Sequence, residues 1–215
     1  MSGDQWEKEI RKDIYGSSSA SVLTYTQLDF FHWCYTGMWV IVMIELIVGS
    51  VPDNPPIRLL SMPLPTLLWT FGTILLISDV MRLLHIPSPF RVSSQPAGAQ
   101  VRPGIYPWIE DICAVDGSGG TAFRERLNAR YEASHYFRQM LHRLTLFWAI
   151  GAEACAILCT ALVFTLEKDA AYVVGWSVPF IWAGIWTVAT WWYVKKDLEL
   201  EKETWGQELE DHQKA

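Results

Sequence analysis

The 215-residue sequence is short of positive charge: 17 Lys and Arg stand against 23 Asp and Glu, a formal charge of −6 at pH 7. Neutralising a phosphate backbone takes the opposite excess, gathered on one face, so no nucleic-acid partner is expected. Cysteine is scarce too. Of the four thiols, Cys34, Cys155 and Cys159 fall inside apolar runs and only Cys113 lies outside them, which implies no disulfide framework. Residues 1–27 contain no short apolar core followed by a small-residue cleavage site, so no removable signal peptide is expected there. Internal repeats are lacking, and so are several signatures of chemistry. There is no Gly-rich loop ending in Lys-Ser/Thr, no Gly-x-Gly-x-x-Gly, no His-x-x-x-His and no paired-aspartate diphosphate motif.

What is present is apolar length. Hydrophobic residues make up 51% of the chain and segregate into four runs of roughly 23–24 residues, each enough to cross a hydrocarbon core of about 30 Å. The expected fold class is all-α: a four-helix transmembrane bundle with spans over 28–50, 63–86, 143–166 and 171–194. An N-terminal arm (1–27, with Lys8, Arg11 and Lys12 in a possible short helix) precedes them and an acidic tail (195–215) follows. The insertion 87–142 is too long and polar for a simple turn. In its second half Phe123, Leu127, Tyr131, Phe137 and Leu141 recur near helical spacing while Arg124, Arg126, Arg130 and Arg138 fill other faces, predicting an amphipathic basic helix that runs on to the third span. The link Glu167-Lys168-Asp169-Ala170 is so short that spans three and four must form an antiparallel hairpin.

Orientation follows from counting Lys and Arg. The arm has three, the insertion with the start of span three has seven, the tail has four, and each short link has one. The positive-inside rule then places both termini and the insertion in the cytoplasm. An endomembrane location, such as the endoplasmic reticulum, is expected.

Charge inside a span costs about 2.5–3.5 kcal/mol on an insertion scale, so such residues need partners or a purpose. Glu45, Asp79 and Glu153 are the carboxyl cases, staggered in depth with Glu153 near the midplane. They would serve as intramembrane acids or bases, or, more plainly, Asp79 pairs with Arg82 one turn away while the two glutamates hydrogen-bond between helices. His32, His85 and His142 all fall at the cytoplasmic ends of spans and would ligate a metal or haem. The turn Asp116-Gly117-Ser118-Gly119-Gly120-Thr121 opens a helix with Arg124 and Arg126 close by, an arrangement suited to an anion such as a lipid headgroup. Its bland counterpart is a hinge that lets the helix lie on an anionic leaflet. Glu110, Asp111 and Asp116 would hold Mg²⁺ against a diphosphate, or simply form a solvated acidic face. No cofactor is specified.

The stretch Arg102-Pro103-Gly104-Ile105-Tyr106-Pro107-Trp108-Ile109-Glu110-Asp111, then Val115-Asp116-Gly117, Arg130-Tyr131 and Phe137-Arg138, resembles multi-pass membrane proteins of filamentous fungi whose activity is not established. The similarity covers about 102–148; it implies a fungal endomembrane protein and transfers no catalytic residue. Three functions compete. The first is an accessory or scaffold component that contacts lipid and offers 87–142 and the tail to a protein partner. The second is a membrane-embedded enzyme acting on a hydrophobic small molecule, a lipid or terpenoid, with an intramembrane carboxyl as general acid or base. The third is a His-ligated electron carrier.

Overall fold

The computed structural model describes the backbone of residues 29–214 and the side chains of 29–202, so the expectations for the 1–27 arm lie outside the described residues. Among the described residues seven α-helices follow in order: α1 (Phe30–Ser50), α2 (Ile57–Leu60), α3 (Pro63–Leu83), α4 (Ile105–Asp111), α5 (Gly120–Ala133), α6 (His135–Thr165) and α7 (Lys168–Lys214). A π-helical turn, Ile112–Asp116, continues α4. Among the described residues there is no strand, only two isolated bridges, Pro87 with Gln100 and Val92 with Gln95. The all-α class is therefore as expected, and α1, α3, α6 and Lys168–Lys202 of α7 are long and apolar enough to cross a membrane.

The helix ends have local causes. Pro63 and Pro65 occupy the first turn of α3, where a missing N–H costs nothing. At its other end His85 adopts φ 54°, the Ile86 N–H donates back to the Met81 carbonyl, and Pro87 forbids continuation. The predicted single helix from the Gly-rich turn into span three is in fact two. Ser134 breaks it with an extended backbone, and its Oγ caps α6 by accepting the Phe137 N–H at 3.1 Å. The third long helix thus starts at His135 rather than near residue 143. α7, by contrast, runs unbroken through the predicted boundary at 194.

Packing follows small residues and indoles. α3 packs most closely on α6, α6 on α7, and α1 on α3. At Gly151 an added Cβ would lie 2.5 Å from the Trp186 ring, and at Gly175 it would collide with the Ser61 carbonyl, so α7 reaches both neighbours because no side chain intervenes. Indole N–H groups bind across the seams: Trp69 to Thr160 Oγ1 (3.2 Å), Trp148 to Thr190 Oγ1 (3.0 Å) and Trp176 to the Leu60 carbonyl (2.9 Å). Cys155 and Cys159 sit buried one turn apart on α6, their sulfurs 3.9 Å from each other. Outward faces are bare of polar cover, with Ile44, Ile47, Phe180, Ile185 and Val188 among the exposed apolar residues.

A second core lies under the insertion. Tyr106 of α4, Leu127 of α5 and Phe137, Met140, Leu141 and Leu144 of α6 form one cluster, with Phe123 and Tyr131 packed on it. The apolar stripe predicted for α5 therefore packs on α4 and α6.

Candidate functional site

The three candidate intramembrane carboxyls, Glu45, Asp79 and Glu153, all find partners on α3. Thr66 Oγ1 donates to Glu45 Oε1 (2.7 Å), and Thr73 Oγ1 donates to Glu153 Oε1 (2.9 Å). Arg82 Nε donates to Asp79 Oδ1 at 3.0 Å. Thr66, Thr73 and Asp79 are six or seven positions apart, a rise of about 9–10 Å each, so a proton relay between the carboxyls would need intervening water. The plainer of the two readings accounts for these contacts. Sequence reasoning had kept Asp79 and His142 in separate sets, and the fold joins them. His142 Nδ1 lies 3.0 Å from Asp79 Oδ1 and 2.7 Å from Arg82 Nη2. Protonated, that nitrogen donates to Asp79; bare, it accepts from Arg82.

His32 packs edge-on to Phe31, and His85 is exposed at the end of α3. Among the described residues no three His, Cys, Asp or Glu side chains converge so as to hold a metal. His32, His85 and His142 are therefore not one site. Neither are Glu110, Asp111 and Asp116, because Asp116 is exposed in the π-helical turn while the other two are fully buried.

What holds Glu110 and Asp111 is Arg124. Its Nη1 lies 3.0 Å from Glu110 Oε1 and 3.2 Å from Asp111 Oδ1, and its Nη2 lies 3.0 Å from Asp29 Oδ2. Asp111 Oδ2 also accepts from Ser93 Oγ (2.6 Å) and from the backbone N–H of Phe31 (3.1 Å). That amide belongs to the first turn of α1, where no carbonyl of its own helix reaches it, so α4 caps α1 from outside. Burial pushes the Asp111 carboxyl above the ordinary carboxylate range, with Asp29 adding to it, against the opposing pull of Ser93, Phe31 and Arg124. Burial disfavours the Arg124 charge, yet Asp29, Glu110 and Asp111 outweigh it and raise its pKa.

The Gly-rich turn is organised by its own backbone. The amides of Gly117, Ser118 and Gly119 donate to the carbonyls of Ile112, Val115 and Cys113, and Gly120 takes φ 57°. Thr121 is exposed, Arg124 is committed to the carboxylate cluster, and Arg126 Nε folds back on the Ala122 carbonyl.

A second clamp ties α7 down. Arg130 Nη2 pairs with Glu201 Oε2 at 2.5 Å, and Ser134 Oγ donates to Glu201 Oε1 at 2.6 Å. Sequence reasoning missed Asp29, Ser93 and Glu201. Asp29 alone carried a visible signal, an acid placed immediately before an apolar run.

No curated protein and no solved structure matches the chain. The match that does exist covers residues 15–205 and therefore the whole bundle with its insertion: the chain belongs to the family described as Domain of unknown function (DUF8766).

Proposed function

We propose that the chain is a multi-pass integral membrane protein of an endomembrane, with its two ends and the 87–142 insertion on the cytoplasmic side, acting as an accessory or scaffold component in contact with lipid. One observation carries this reading. Buried charge at Arg124 gathers α4, α5, the loop after α3 and the start of α1, and Glu201 adds α7, so segments distant in sequence make one polar platform on top of apolar rods. A partner that docks on a preordered surface avoids much of the entropy cost of ordering it. The segment resembling fungal multi-pass membrane proteins, 102–148, makes up most of that platform.

A second reading, an enzyme acting on a lipid or terpenoid, is favoured by Glu153, a half-buried carboxyl at the seam of α3 and α6 with a single hydroxyl partner. Native electrophoresis of gently solubilised membranes separates the two. The scaffold reading expects a defined assembly larger than the monomer, unchanged by Glu153→Gln and Asp116→Ala and released by Arg124→Leu. A monomer that turns over a lipid or terpenoid and loses that activity with Glu153→Gln would overturn it.

A further inference from the structure

The insertion does not sit flush on the bundle. Between the start of α1, the second half of α3, the 88–101 loop and α4 it leaves a cavity of about 300 Å³. Space at this lower end of the range for small-molecule sites suits one hydrocarbon chain rather than a whole lipid. Ile74 and Met81 of α3 face it from one side, and Phe90, Val92 and Val101 face it from the loop. Phe90 also stacks on Phe30 of α1, ring centroids 6.3 Å apart, which ties the loop to the first long helix.

Of the polar side chains along this wall, Ser78 Oγ donates to the Ile74 carbonyl (3.0 Å) and Ser88 Oγ to the Phe90 carbonyl (2.6 Å). Arg102 Nη2 donates to Asn128 Oδ1 and Glu132 Oε1, at 2.6 and 2.9 Å. Glu110 is fully buried and paired with Arg124, so it offers the cavity no surface. A buried water needs about two to four polar partners, and a wall whose hydroxyls and guanidinium are turned to other groups supplies few. Left empty, the same wall forfeits dispersion contacts over its whole area. Hydrocarbon restores those contacts and asks for no hydrogen bond.

The way in is apolar as well. At the rim Ile77 and Phe90 are 54% and 55% exposed, and Val80 and Leu84, three and seven positions after Ile77, extend an exposed apolar stripe along the flank of α3. A chain lying against that flank reaches the cavity without crossing a polar surface.

We infer that this cavity takes one hydrocarbon chain of a membrane lipid, which leaves the flank of α3 and runs beneath the 88–101 loop while its head group stays outside. Selection is then by the chain and not by the head. The inference rests on the membrane part of the reading above, the four long helices lying in a bilayer, and not on the scaffold role.

The test uses the full-length protein in lipid nanodiscs doped with a phosphatidylcholine that carries a photoactivatable diazirine at the end of one acyl chain. Bulk lipid should label the exposed face of α7 over 180–188, and the bound chain should label 88–107, beyond the end of α3. Val101→Trp and Ile74→Trp fill the space from opposite walls. Each should lower labelling of 88–107 about tenfold, the change that follows from losing the contacts of roughly two buried methylenes, with 180–188 labelled as before. In the wild type, hexadecane, which has no head group, should compete for 88–107 more than for 180–188, and exchanging the choline head for glycerol should leave the ratio of the two labels unchanged. Labelling confined to 180–188 in the wild type, or labelling of 88–107 that survives in both filled variants, overturns the inference. So does rapid modification of Cys34, which lines the same wall, by a charged thiol reagent, because it would mark the cavity as aqueous. Absence of label from both regions would instead bring down the membrane reading and the inference with it.

Discussion

Arg124 illustrates what a single residue's neighbours decide. Read along the chain, it stands a few positions after a Gly-rich turn and invites an anion; Glu110 and Asp111 stand apart from it and invite a cation. Folded, Arg124 pairs with both carboxylates. Sequence spacing could not announce this, because Glu110 and Arg124 are fourteen positions apart, with a π-helical turn and a Gly-rich turn between them. Breaking a buried pair by removing one partner leaves uncompensated charge, so Arg124→Leu is expected to cost about 3–5 kcal/mol, read as a lowered unfolding temperature in detergent. Asp111 adds a pH dependence. Its pKa is raised on folding, so the folded state binds the proton more readily than the unfolded chain does. Its contribution to stability is complete below the unfolded carboxylate value of about 3.9 and is lost as pH rises through the higher folded value. Stability measured over this acidic window should therefore carry a falling component from Asp111 that is absent in Asp111→Asn. A wild type and variant with parallel pH profiles would show that the carboxyl is not perturbed.

At the scale of the element, lengths and proline stops were legible and one boundary was not. The prolines at 63, 65 and 87 bracket α3 where its apolar run begins and ends. The break at Ser134 went unread because the aromatic and arginine periodicity continues across it, and the position three residues on is Phe137 rather than the Glu or Gln of a capping box. Ser134→Ala removes that cap and the hydroxyl that binds Glu201. A loss of about 1–2 kcal/mol is expected, with Glu201 held by Arg130 alone, visible as faster amide exchange near Glu201. His85 works the opposite way. A side chain at φ 54° is held in the left-handed region, and His85→Gly should raise stability by about 1 kcal/mol in thermal unfolding. A decrease instead would mean that the His85 imidazole makes contacts worth more than its backbone strain.

At the scale of the molecule, the start of α1, the insertion and the polar extension of α7 meet at one end of the bundle through the Arg124 and Glu201 contacts. The proposed orientation therefore makes a joint prediction. In sealed vesicles, tags at both chain ends and a protease site placed at the exposed Gly98 should all be cut from the same face. Protection of one while another is lost would contradict it. The apolar flanks of α1 and α7 would meanwhile face hydrocarbon, which accounts for their many exposed aliphatic and aromatic side chains.

The sequence by itself determined that this chain is helical, that four of its helices are long and apolar enough to cross a bilayer, and that a polar segment with one amphipathic helix interrupts them. Those properties are local, because run length, apolar periodicity and proline placement act within a few residues of where they are written. Only the tertiary structure decided which charges pair with each other, that α5 spends its apolar stripe on α4 and α6, and that a cavity remains between α1, α3 and α4. Those outcomes depend on which surfaces close against one another, and a buried ion pair or an unfilled space has no one-dimensional signature before the helices meet.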